Sequence, residues 1–311
     1  VTLLLTRSDL EAVLEPESCL AALREGFRDA DAVPVAGRRV RTDLPFPGTA
    51  TALLPGLLPG IEAYTVKVNA KFPGARPALR GVLCLHGGAD GELLALLDSA
   101  TITAWRTGLA AALGTHHLAG PGDVLGVIGA GAQAQLMLRG LRALRAYGDL
   151  AVHDTDGDRA ADFAARHGGR LLGSAREVVA VADTVLLATW SRSPLLSLAD
   201  TRPGQHFTSL GADEPGKQEL APDLLEAALL VVDDRELAAA MGALAAADLP
   251  AEAADTTLGA VLHGIHPGRT SAAARSVYAP VGLPWQDLAL AWVAYRAAER
   301  QGVGQRVDLL G

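Results

Sequence analysis

Two groups of residues have types and spacings that can do chemistry. The first is Gly129-Ala130-Gly131-Ala132-Gln133-Ala134, which follows the apolar run Val124-Leu125-Gly126-Val127-Ile128. A β-branched run that meets a glycine pair and passes into helix-forming residues is the strand–turn–helix that cradles a dinucleotide pyrophosphate. Gly129 permits the tight turn, Gly131 lets the backbone approach the phosphates, and small Ala134 lets the helix pack close to the strand. The helix start at Ala132 and Gln133 offers unpaired N–H groups and a positive dipole end to the anion. Asp154 closes the run Leu150-Ala151-Val152-His153, 25 positions after Gly129. That is about the spacing at which a Rossmann carboxylate accepts the ribose hydroxyls of NAD. Thr155 follows it, where an NADP protein often carries arginine, so NAD is expected over NADP.

The second group is cationic. Arg39 and Arg41 alternate within Arg38-Arg39-Val40-Arg41 and fall on one face of a strand, which a solvated surface would also explain. Lys67 lies between Val66 and Val68, as either an outward-facing residue or a functional ammonium. Arg106 sits in the first turns of a helix expected over 98–118, where the dipole disfavours a cation unless an anion is bound beside it. His86 reads as a hydrogen-bonded strand histidine. His263 with His266, and His116 with His117, lack a third ligand, so no metal is expected.

These residues need elements to hold them. The chain has 311 residues, enough for two domains with ample core. Its net charge of −8, with no block of Lys or Arg, argues against a nucleic-acid surface. No apolar run approaches the roughly 20 residues that span a bilayer. Val1-Thr-Leu-Leu-Leu-Thr lacks the features of a signal peptide and reads as an edge strand, and the two cysteines form no framework, so a cytoplasmic protein is expected. Helix starts are expected at Ser8 and Glu17. The runs at 82–86 and 93–97 flank Gly87-Gly88-Ala89-Asp90-Gly91 as a hairpin. Beyond Gly120-Pro121-Gly122, strand-like runs at 124–128, 150–154, 183–189, 205–211 and 229–234 alternate with helical stretches. That alternation predicts a doubly wound parallel sheet of Rossmann type. A long helix is expected over 285–301. The expected domains are a Rossmann domain over 119–284 and a second, α+β domain for substrate and dimerisation, over 1–118 with 285–311.

The chain resembles the ornithine cyclodeaminase/mu-crystallin family, which also holds archaeal-type alanine dehydrogenases and ketimine reductases. The resemblance runs nearly end to end. It rests on Lys67-Val68-Asn69, Ile102-Thr103-Ala104-Trp105-Arg106-Thr107, the glycine loop, Gly211-Ala212-Asp213 through Lys217-Gln218-Glu219-Leu220, and Gly282-Leu-Pro-Trp-Gln-Asp287-Leu. By resemblance, Lys67 and Arg106 bind a substrate carboxylate, with Arg41 as third member and Arg39 as fallback. Asp213 matches the catalytic aspartate, which mu-crystallin-like members have lost. Lys217 matches a residue near the cofactor, and Thr189, at the end of a strand, is expected to line the same site. Ornithine cyclodeaminases carry Glu where this chain has Ala52, which puts recognition of a diamino acid in doubt. Pro280 likewise replaces a common serine. Trp105 and Trp190 lie beside matched positions and either shape the pocket or pack in the core.

The expected function is therefore an NAD-dependent oxidoreductase working at the Cα–N bond of a small amino or imino acid. Asp213 would be the general base, and Lys67 would assist it. A cyclodeaminase and a non-catalytic NAD(H) binder are the alternatives, and a homodimer is expected by resemblance.

Overall fold

Thr6 and Asp9 show how locally the chain declares its first helix. The Thr6 side chain accepts from the Asp9 backbone while Asp9 accepts from the Thr6 N–H at 2.9 Å, a reciprocal cap that starts α1 (Arg7–Val13). The computed structural model describes residues 1–29, 40–43, 50–72, 79–213 and 216–309. These form two units, Val1–Arg106 with Leu283–Gly311, and Thr107–Gly282.

The first unit holds a mixed seven-stranded sheet. Its strands are β1 (Thr2–Leu5), β2 (Val40–Asp43), β3 (Ala50–Gly56), β4 (Ala63–Lys71), β5 (Leu79–Gly87), β6 (Leu93–Asp98) and, far along the chain, β17 (Gln305–Val307). They run in the order β17-β1-β6-β5-β4-β3-β2, antiparallel except for the β1–β6 pair. The N-terminal run is thus no edge strand, because β17 covers its outer side. The β5–β6 hairpin forms as expected, and Gly91 supplies the positive φ of its turn. Helices α1, α2 (Pro16–Asp29) and α11 (Pro284–Gln301) belong to this unit. Phe27 of α2 meets Trp285 of α11 edge to face, ring centroids 4.9 Å apart.

α3 (Ser99–Leu118) begins in the first unit and continues into the second. The division falls inside this helix, not at Gly120-Pro121-Gly122. Ala111 and Ala112 share a core with Met137 and Leu141, so the second half of α3 is committed to the sheet that follows it.

The second unit is the doubly wound sheet. Its strands are β7 (Val124–Ile128), β8 (Asp149–His153), β9 (Arg170–Leu171), β10 (Thr184–Leu187), β12 (His206–Ser209), β14 (Leu229–Val232), β15 (Thr256–Thr257) and β16 (Ser276–Tyr278). A separate parallel ladder joins β11 (Arg192–Leu196) to β13 (Gln218–Leu220). The large sheet is parallel throughout, in the order β15-β14-β16-β12-β10-β7-β8-β9. Side chains alternate between two cores: Val185 and Leu187 enter one, and Leu186 enters the other with Leu125 and Val127. Both faces are therefore buried, which is why these strands read as continuous apolar runs. The connecting helices are α4 (Ala132–Leu144), α5 (Gly157–His167), α6 (Ala175–Val181), α7 (Pro222–Ala227), α8 (Arg235–Met241), α9 (Ala243–Ala246) and α10 (Leu258–Leu262). The chain winds from β7 out to β8 and then returns to β10 on the other side. The order of winding thus reverses between β7 and β10, and ligands of open α/β sheets bind at the carboxyl ends beside such a reversal. No helix of the described residues is long and apolar enough to cross a membrane.

Candidate functional site

The glycine loop stands at that reversal. Gly129 has φ +89°, and a Cβ there would lie 2.6 Å from the Ala188 carbonyl, so the turn admits only glycine. Gly131 is different. It is the N-cap of α4 and gives no side-chain cap, and nothing lies within 4 Å of a Cβ built on it. Its bare backbone relieves no internal clash; it leaves the helix mouth open to an approaching group. Ala132 opens α4, and the buried Oε1 of Gln133 beside it has no hydrogen-bond partner. Open N–H groups, an uncapped helix end and an orphaned acceptor fit a dinucleotide pyrophosphate and the polar groups next to it.

Asp154 follows β8 and closes the other side of the loop. Its carboxylate accepts from the Ala130 N–H at 2.7 Å and from the Asp156 N–H at 2.9 Å. Thr155 is adjacent in sequence, but the cation that reaches this carboxylate is Arg159, five residues on in the first turn of α5. Its Nε and Nη2 each donate at 3.0 Å. Burial alone would raise the Asp154 carboxyl, yet Arg159 and the two backbone donors hold it below the usual range. Arg159 reaches back from the first turn of α5, a partner that the expectation for Asp154 does not include.

Thr189 stands just beyond β10, with its backbone N–H and its hydroxyl both donating to Glu219. Glu219 is fully buried and was quoted in the sequence only as part of a motif. Burial raises its carboxyl against the pull of its hydrogen bonds. Nearby, Lys217 Nζ lies 2.9 Å from Asp213 Oδ1. Lys217 is buried, whereas the Asp213 side chain is 48% exposed, so the free side of this carboxylate is open. Trp190 is not a core residue: it is 64% exposed, and Lys217 Nζ sits 4.0 Å from its ring centroid. Trp105 is the buried one of the two.

The first unit holds the cationic residues. Lys67 points inward and is 2% exposed, which decides between its two sequence readings. Its ammonium donates to Asp287 Oδ2 at 2.5 Å and lies 3.4 Å from Thr103 Oγ1. Arg106 places Nε 3.4 Å from the other Asp287 oxygen and Nη1 3.4 Å from Gln286 Oε1. Nε and that oxygen are both buried, and neither has a hydrogen-bond partner. Two cations thus meet on one carboxylate, an arrangement that suits a second, incoming carboxylate. An acid in a first helical turn normally just answers the dipole, so nothing in the sequence sets Asp287 apart. Arg41 in β2 pairs with Ala52 of β3, and Ala52 with Asn69 of β4. The Arg41 side chain and the whole of Arg39 lie outside the described residues.

His86 Nδ1 pairs with the Gly91 carbonyl at 3.2 Å, and the ring stacks on Tyr64. Among the described residues no cluster of His, Cys, Asp or Glu could hold a metal ion.

A sequence model of the ornithine cyclodeaminase/mu-crystallin family matches residues 1–302. The chain is 29% identical to the alanine dehydrogenase of Archaeoglobus fulgidus, over 98% of each chain. The fold matches an archaeal alanine dehydrogenase dimer with bound NAD at a TM-score of 0.92, with 28% identity and 99% of each chain covered. It also matches the Delta(1)-pyrroline-2-carboxylate reductase of Thermococcus litoralis, in complex with NADH and L-proline. That match has a TM-score of 0.91 and 26% identity, and covers 98% of this chain and 100% of the other.

Proposed function

The chain belongs to the ornithine cyclodeaminase/mu-crystallin family, and we propose that it works as an NAD(H)-dependent amino-acid dehydrogenase or imine reductase. The observation that carries this reading is the buried cluster in which Lys67 and Arg106 meet on Asp287. An α-carboxylate docked on Arg106 and Lys67, with Arg41 as a third contact, fixes the direction of the Cα–H bond. NAD, when bound at the Gly129–Gln133 loop, supplies the hydride acceptor for that bond. Asp154 takes the ribose hydroxyls, while Thr189 and Lys217 border the reactive half of the site.

Asp213 does the proton work. Its carboxylate pairs with Lys217 and keeps an exposed side. In the oxidative direction it takes a proton from the substrate ammonium before hydride leaves Cα and passes it to solvent. It then takes one from the water that adds to the iminium and returns it to the departing nitrogen, so that keto acid and ammonia are released. In the reductive direction it returns a proton to nitrogen as hydride reaches Cα. Lys67 assists by holding the carboxylate end, with its charge balanced by Asp287.

A cyclodeaminase reading needs a carboxylate for the distal ammonium of a diamino acid. Position 52 is alanine, with Arg41 and Asn69 as its cross-strand neighbours, which supports the dehydrogenase or reductase reading. We place the protein in the cytoplasm as a homodimer. Neither cysteine forms a disulfide, and the archaeal alanine dehydrogenase it matches is a dimer.

A substrate screen with NADH and NAD tests the reading. It should cover alanine, ornithine, lysine, pyruvate with amines, and five- and six-membered cyclic imines. Net NADH oxidation on an imine, or NAD reduction on an amino acid, is the expected result. Release of ammonia from ornithine with no net change in NADH would make the protein a cyclodeaminase. NADH binding without turnover across the panel would make it a binding protein.

A further inference from the structure

Each oxygen of Glu219 is addressed from a different strand end. Oε1 accepts from the Thr189 backbone N–H at 2.6 Å and from its hydroxyl at 2.8 Å. Oε2 accepts from the Ser209 hydroxyl and from the Gly211 N–H, both at 2.7 Å. Thr189 follows β10, and Ser209 closes β12. One side chain from β13 therefore ties together two neighbouring carboxyl ends of the parallel sheet.

The sheet does not need this tie. β10 and β12 already pair from Thr184–His206 through Leu187–Ser209, and Leu210 donates to the Leu187 carbonyl at 3.0 Å. Burying a carboxylate is unfavourable where an apolar side chain would pack, so its presence marks a demand beyond pairing. That demand falls where the ladder stops. A Cβ at Gly211 would meet Glu219 Oε1 at 2.4 Å and the Thr189 carbonyl at 2.7 Å, so the backbone there is shaped around the carboxylate. Asp213 lies two residues past Gly211, and its partner Lys217 lies two residues before Glu219. Glu219 thus anchors both ends of the segment that carries Asp213, one by hydrogen bond and the other by chain connection.

We propose that Glu219 is a positioning residue for the reaction: by holding the Thr189 and Gly211 backbones on its two oxygens, it sets where the Asp213 carboxylate stands. This rests on Asp213 being the general base.

Glu219→Gln is the informative variant, since it keeps the shape. Whichever way its amide turns, the NH2 group faces a backbone N–H, so either Thr189 or Gly211 loses its acceptor. Ser209→Ala is the milder companion, removing one hydroxyl and neither backbone donor. The measurements are NADH affinity by fluorescence titration, kcat, KM and the acid side of the kcat–pH profile. Glu219→Gln should bind NADH within about threefold of wild type while kcat falls about 30- to 100-fold, the scale of a misplacement near 1 Å. KM should change far less than kcat, and the acid limb should move. Ser209→Ala should show the same pattern at a few-fold, and it decides the matter if Glu219→Gln does not fold. The proposal is overturned if either folded variant keeps kcat within about twofold and an unmoved acid limb. Asp213→Ala separates the two layers: full turnover there removes the base on which the proposal rests. A dead Asp213→Ala beside an unaffected Glu219→Gln removes only the positioning role.

Discussion

Lys67 Nζ and Asp287 Oδ2 lie 2.5 Å apart across 220 residues of sequence, each 2% exposed. A pair so far from water is stable only as a pair. Asp287→Ala removes the carboxylate from a buried ion pair and is expected to cost about 3–5 kcal/mol. The double variant Lys67→Met/Asp287→Leu should recover part of that stability in urea denaturation, Arg106 still having lost its carboxylate, and should remain inactive. Recovery of turnover in the double variant would show that Lys67 has no part in the reaction.

Asp213→Ala is expected to lower turnover by about 10²- to 10⁴-fold, the usual contribution of a positioned general base. NADH affinity should stay near wild type, because the glycine loop and Asp154 are untouched. Stopped-flow hydride transfer with NADH titration reads both quantities. Unchanged turnover would end the general-base assignment.

Asp154→Ala is expected to weaken NADH more than NADPH, since only the unphosphorylated ribose uses the carboxylate. Arg159→Ala removes an ion pair with one exposed partner, worth roughly 0.2–1 kcal/mol, and opens the side of the carboxylate that the guanidinium covers, the backbone donors from Ala130 and Asp156 remaining. NADH binding should therefore hold or tighten by up to about threefold. Fluorescence titration of both cofactors against both variants is the check. Equal losses for NADH and NADPH in Asp154→Ala would take that residue out of the ribose site.

His206 makes stability depend on pH. It is fully buried, between Ser276 Oγ and Thr208 Oγ1, each at 2.9 Å. Burial, with smaller contributions from Arg269 and Arg145, pushes its pKa down to about 3 from the ordinary 6.5. Between those values the unfolded chain binds a proton that the folded chain refuses, so stability rises with pH. The contribution is complete above about 6.5 and is lost as pH falls toward 3, by about 1.4 kcal/mol per pH unit. Denaturation at pH 7, 5 and 4 should show this slope in wild type and a flatter one in His206→Gln. Identical slopes would show that another group governs the acid sensitivity.

The legible parts of the chain were those with a period or a punctuation. The parallel strands announced themselves as apolar runs because both faces are buried, and Gly129 announced its turn because no other residue fits. Arg159, Glu219 and Asp287 were not legible as partners. Each acts on a residue from another element, and sequence spacing carries no trace of such a meeting. Lys67 was ambiguous for the same reason: between two valines an ammonium reads equally as outward or inward until the element bearing Asp287 is placed. β1 reads as an edge in the sequence because the strand that covers it, β17, comes from the far end of the chain.

That far end has a consequence for synthesis. The second unit is complete once residue 282 has been made, but the first waits for Leu283–Gly311. Until then β1 lacks β17 along one side, and Lys67 has no Asp287 to meet. A nascent or prematurely terminated chain would therefore carry a finished glycine loop while Lys67 still lacks Asp287. Quality control would meet its unfinished sheet first.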